Sequence, residues 1–226
     1  MKFALSLIIA GLLWTCSSPA SEEQQAPPDA AYLNFIQQFD SLSFRATDTL
    51  DCDSLMYGAL SEKAGKPTRI RLAMTEMRAL IPPQLWKKAR LDTTEQYYAL
   101  GRFPFASGKE ACMIGAYMDE QRYSTHLFIY DLSQHAFTHT QSLNFTMGGG
   151  PYLNHRKAWL CDLNQDGILD VVYKVEESLN LESEEDSFFK SSLHAEIWDG
   201  YRFVEYPQFA ATSVYWDSLQ LASDGY

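Results

Sequence analysis

The chain has 226 residues, 46% of them hydrophobic and 14% aromatic, which is enough apolar material for one compact domain or two small ones. Its formal net charge of -11 argues against nucleic-acid binding by phosphate neutralisation and favours solubility and attraction of divalent cations. No G-x-S-x-G elbow, HExxH helix, CxxC pair or phosphate loop with Lys and Ser or Thr is present, which removes the common signatures of hydrolase, zinc and nucleotide chemistry.

Met1-Lys2 is a short charged start, and Phe3 to Trp14 is an apolar run too short to cross a hydrocarbon core of roughly 30 Å as a helix. That is the pattern of an export signal over residues 1–15. Leu13-Trp14-Thr15-Cys16 resembles a bacterial lipobox, with Leu13 in place and Trp14 and Thr15 departing from the usual small residues. The resemblance implies acylation of Cys16, a membrane partner reached through a lipid anchor, and an outer-membrane lipoprotein of the cell envelope. Residues 16–29 carry Ser, Glu, Gln and Pro with no large apolar side chain and read as a flexible tether. Glu22-Glu23 in this tether is similar to the acidic patch of lipoproteins displayed on the cell surface.

From residue 30 to 92 the apolar period is helical. Asp29 is placed to cap a helix whose Tyr32, Phe35, Ile36 and Phe39 form one stripe. Thr68 is placed to cap a second, carrying Ile70, Ala73, Met74, Met77, Leu80 and Ile81 up to Pro82-Pro83. The Met and aromatic content of these stripes belongs to core packing.

From residue 93 to 208 the period becomes two. Tyr97 to Phe103, Ala111 to Met118, Ser124 to Asp131 and Ala136 to Leu143 read as a four-stranded meander. Lys157 to Cys161, Leu169 to Val175, Leu193 to Trp198 and Tyr201 to Tyr206 repeat that order, and Asp199-Gly200 makes a tight turn between the last two. The expected fold is mainly β with a small α-helical N-terminal region: two four-stranded antiparallel, propeller-blade-like sheets, followed by a C-terminal segment, 209–226. Two blades cannot close a ring, so the sheets must pack on each other, on the helices or on another subunit. Gly148-Gly149-Gly150-Pro151 reads as a mobile turn between the two sets.

The densest chemical signal is Asp162-Leu163-Asn164-Gln165-Asp166-Gly167-Ile168-Leu169-Asp170. Oxygen side chains fall at positions 1, 3, 5 and 9 with Gly at 6, as in a loop that wraps a hard cation needing six to eight oxygens at about 2.3 to 2.6 Å. The expected calcium ligands are Asp162, Asn164, Asp166, the carbonyl of Ile168, and Asp170, with water completing the shell. An EF-hand would need Glu at position 12 and a following helix, whereas position 12 is Tyr173 in a strand-like run. The loop therefore reads as a hairpin connection. It resembles the calcium hairpin of integrin-α-type (FG-GAP) and VCBS-type repeats, D-x-[DN]-x-D-G-x-x-D, matched at Asp162, Asn164, Asp166, Gly167 and Asp170, although the FG-GAP element itself is missing upstream.

Other candidates carry less. Cys112 and Cys161 lie in apolar strands and read as buried thiols, while Cys52 is unassigned. His135 and His139 read as decoration of a hairpin strand. Glu176-Glu177 and the acidic run Glu182, Glu184, Glu185, Asp186 read as solvated, the alternative being a carboxylate pair for glycoside hydrolysis. Asp-Ser/Thr triplets place Ser41, Thr49, Ser54, Thr93 and Ser218 in a pattern that resembles the O-glycan acceptor triplet of exported proteins in one group of Gram-negative bacteria. Together these features predict a non-catalytic, calcium-stabilised envelope or surface protein that binds an envelope protein or a glycan. The alternative is an envelope hydrolase or an accessory subunit of a glycan- or peptide-processing complex.

Overall fold

The structure, a computed structural model, describes residues 30–44, 48–60, 62–63, 66–67, 69–119, 122–180 and 187–212. It is mainly β. The N-terminal third contributes helices α1 (Ala30–Ile36), α2 (Cys52–Leu60), α3 (Met74–Leu80) and α4 (Pro83–Lys88) and the short strands β1 (Leu50–Asp51), β2 (Glu62–Lys63), β3 (Lys66–Pro67) and β4 (Arg71–Leu72). Long strands follow: β5 (Gln96–Ala106), β6 (Lys109–Asp119), β7 (Arg122–Asp131), β8 (Ala136–Gly149), β9 (Tyr152–Cys161), β10 (Asp170–Leu179) and β11 (Phe188–Trp198), with a short β12 (Phe203–Glu205) and a 3-10 turn at Pro207–Thr212.

Two helical expectations change. Arg71 and Leu72 pair with Tyr98 and Tyr97 as an edge strand, so the second helix starts only at Met74, and its N-cap Ala73 makes no capping bond. Pro82-Pro83 ends that helix and also begins the next one, because proline at the first helical position gives up an N–H that has no intrahelical partner anyway. Asp29 and Thr68 lie outside the described residues.

The expectation of two separate four-stranded blades is wrong. Strands β4 to β12 form one antiparallel sheet in chain order, with β1 added beside β9, ten strands in all. The reason is β8, which does not stop at Leu143 but runs 14 residues to Gly149. Its first part pairs with β7, and its last part, Phe145 to Gly149, pairs with β9. The glycines read as a mobile turn are thus largely strand: Gly148 and Gly149 face Leu153 and Tyr152. Only Gly150-Pro151 turns, with Gly150 at φ 57°, a backbone conformation that disfavours other residues. Register shifts between Ser124 and His126 and between Ile129 and Tyr130 bend β7 against β8, so β8 acts as a corner shared by two halves of the sheet.

The sheet rolls up on itself. In a flat sheet the six steps from β5 to β11 would separate them by about 29 Å. Yet the rings of Phe105 and Trp198 meet edge to face with centroids 5.1 Å apart, and Phe203 packs on both. The interior joins Leu100, Phe103, Met113, Leu127, Leu160 and Val171 with Cys52 and Met56 of α2. The other face of β5 to β8 buries Cys112, Ile114, Phe128 and Tyr130 beneath α1, α3 and α4 through Tyr32, Phe35, Met77 and Leu85. Because β7 is covered on both faces, Leu127-Phe128-Ile129-Tyr130 is apolar without interruption. On the far half, Trp159, Val172 and Ala195 lie under Phe209.

Candidate metal loop

Residues 162–169 join β9 to β10, the hairpin position that the alternation of Val171, Tyr173 and Val175 predicts. Gly167 sits at φ 83° and Gln165 at φ 62°, so the loop passes twice through the left-handed region. Loop N–H groups bond the side chains: Asp166 N–H donates to Asp162 Oδ1 and Asn164 Oδ1 (3.1 Å each), Gly167 N–H to Asp162 Oδ2 (2.9 Å), and Ile168 N–H to Asp166 Oδ1 (2.8 Å). Asn164 Nδ2 also donates to Asp166 Oδ2 at 2.9 Å.

Asp170 is different in kind. It is fully buried, and its two oxygens accept from two backbone donors, Trp198 N–H at 3.0 Å and Leu163 N–H at 3.1 Å. One carboxylate therefore ties the loop, the start of β10 and the end of β11 together. Burial pushes its pKa up to about 6, with the charges of Asp166 and Asp162 adding to the rise and the two N–H bonds opposing it.

The donor set suits a hard cation: three carboxylates, an amide oxygen and a backbone carbonyl at Ile168, all oxygen. A carboxylate oxygen that accepts one N–H keeps further acceptor capacity, so these bonds do not exhaust the set. Among the described residues no three His, Cys, Asp or Glu side chains stand together as a preassembled metal cluster. A cleft of about 450 Å³ opens beside the loop, bounded by Asp162, Gly167, Ser41, Phe44, Phe103 and Phe105.

Other predicted residues are scattered. Ser41, Ser54 and Thr93 are exposed and Thr49 is half-buried, each on a different connection or helix start; Cys16 and Ser218 lie outside the described residues. Cys52, Cys112 and Cys161 are free and buried. Glu176 and Glu177 are neighbours in β10 and so project to opposite faces, where Glu176 pairs with Lys174 (2.5 Å) and Glu177 accepts from Tyr152 Oη (3.0 Å); they form no catalytic pair. The run 182–186 is outside the described residues. His139 is not surface decoration, since its ring packs edge to face on Trp198.

Two groups escaped the sequence reading. The Trp198 N–H that fixes Asp170 carries no side-chain signal at all. Asp53 is buried and accepts from Asn144 Nδ2 and from His155 Nε2 (3.2 Å), bringing α2, β8 and β9 to one point. No protein-family model matches this chain, and no curated protein or solved structure matches it.

Proposed function

We propose that this chain is a non-catalytic binding module of a bacterial envelope, anchored to the outer membrane through acylated Cys16 and stiffened by one calcium ion in the 162–170 loop. The observation that carries the reading is the buried Asp170 carboxylate, which links the loop to Trp198 at the seam where the sheet closes on Phe105. An ion held by Asp162, Asn164, Asp166, the Ile168 carbonyl and Asp170 supplies positive charge to the three loop carboxylates, and so offsets the effect of Asp162 and Asp166 on Asp170 and the burial of Asp170. Stiffening that seam holds the rolled sheet in one shape and fixes the clefts it presents to an envelope protein or glycan. The exposure of Ser41, Ser54 and Thr93 suits these three as O-glycan acceptors.

The test is thermal unfolding of the full chain with calcium and with EDTA. At about 1 mM calcium and a dissociation constant near 0.1 mM, binding adds roughly 1.4 kcal/mol, a rise in Tm of about 3–6 °C for a chain of this size. Identical melts in the two buffers count against the calcium reading.

A further inference from the structure

A second cleft, of about 540 Å³, lies away from the metal loop, between the end of α4 and strands β7, β8 and β9. Its charge runs against the protein as a whole. Lys88, Arg90, Arg122 and Arg156 line it against one lining carboxylate, Glu95, while Glu196 acts on Lys88 and Arg156 from outside the lining, in a chain of net charge -11. Arg122 is engaged by Asp119, to which its Nε donates at 2.8 Å. Arg156 is not so compensated: its Nε and Nη2 are buried without a hydrogen-bond partner, and its guanidinium lies over the Tyr173 ring at 3.5 Å, which fixes its position. Beside it, His126 is 4% exposed, donates to or accepts from Ser124 Oγ at 2.8 Å through Nε2, and leaves Nδ1 buried without a partner. Met118, Phe145 and Met147 supply apolar wall.

A largely buried guanidinium charge is costly, and an anion seated beside it offsets part of that cost. Burial lowers the pKa of Arg156, and Tyr173 and Glu196 oppose that shift. We propose that this cleft binds a small amphiphilic anion, its carboxylate or phosphate head on Arg156 and its apolar part against Met118, Phe145 and Met147. The volume lies in the range of small-molecule sites, and a guanidinium is a good partner for either head group. This inference rests on the reading of the chain as a binding module, yet it makes no use of the calcium loop.

Calorimetric titration of the full chain with octanoate, octyl phosphate and octanol, each in EDTA and in calcium, tests it. At least one anion is expected to bind about tenfold or more tightly than octanol, and the tighter of the two names the head group. Arg156→Gln should weaken the anion about tenfold or more and leave octanol unchanged. Met147→Trp, at a side chain 53% exposed, should block the cleft and abolish binding without touching the guanidinium. Octanol binding as tightly as the anions, no anion binding at all, or undiminished anion affinity in the Arg156 variant would each overturn the proposal. Anion binding that persists while calcium leaves the melt unmoved retires the calcium loop alone, and the converse retires the anion cleft alone.

Discussion

Removing the Asp170 carboxylate separates its role as a structural pin from its role in a metal site. In Asp170→Ala two backbone donors lose a charged acceptor, Trp198 N–H at 3.0 Å and Leu163 N–H at 3.1 Å. Hydrogen bonds to charged groups contribute about 1.5–3 kcal/mol each. Leu163 is half-buried and regains water, whereas the Trp198 donor belongs to a buried residue and does not. The expected loss is therefore about 2–4 kcal/mol without any metal, or roughly 5–15 °C in Tm. Asp166→Ala is the control. Asp166 is exposed, and water replaces the bonds it accepts from Ile168 and Asn164, so in EDTA the variant should stay within about 1 kcal/mol of the parent. Its calcium increment should nevertheless vanish. Urea denaturation of the three proteins in EDTA and in calcium gives all six numbers. An Asp170→Ala variant within about 0.5 kcal/mol of the parent in EDTA refutes the pin. A full calcium increment in Asp166→Ala refutes the metal site.

Stability should also fall on acidification through His126, which burial lowers from 6.5 to about 4. The folded imidazole stays neutral while the unfolded one takes up a proton near pH 6.5, so stability is full above that pH and is lost as pH falls toward 4, by about 3 kcal/mol in total. His126→Gln should flatten the dependence over that window, and equal slopes for parent and variant would exclude His126 as its source. Gly115 lies where an added Cβ would come 2.5 Å from Met56 Sδ and 3.2 Å from both Leu100 methyl groups. Gly115→Ala should cost about 1–3 kcal/mol by overpacking, and Met56→Ala in the same chain should recover part of that cost. Strictly additive losses in the double variant would show that Met56 is not the group forced to move.

Local pattern made the strands legible and left their assembly hidden. The run Leu127-Phe128-Ile129-Tyr130 and the alternation of Val171, Tyr173 and Val175 report burial at single strands, and burial is what periodicity encodes. Asp162, Asn164, Asp166 and Gly167 were readable for the same reason, since a loop's chemistry is contiguous in the chain. Gly148 and Gly149 carry weak strand preference, since their environment, not their type, places them in β8, and so the sequence shows a break within the single strand that joins the two halves. The helix expected from Thr68 met the same limit at Arg71 and Leu72, where pairing with Tyr97 and Tyr98 outweighs the helical period.

The consequences of that one strand reach both candidate sites. Because β8 turns the corner at Asn144, the inner residues of β11 come over the first part of β8: Gln141 Nε2 donates to Glu196 at 2.6 Å, and His139 meets Trp198. Trp198 in turn offers its N–H to Asp170, so the metal loop is held by a residue whose position depends on the corner. The same turn pairs Phe145 with Arg156 and brings Arg156 to the cleft beside His126, a residue 30 positions away in the chain. Straightening the corner should disturb both sites at once, although no residue is shared between them. A bend set by register shifts leaves no mark in residue type, which is why the loop was visible from the sequence and the cleft was not.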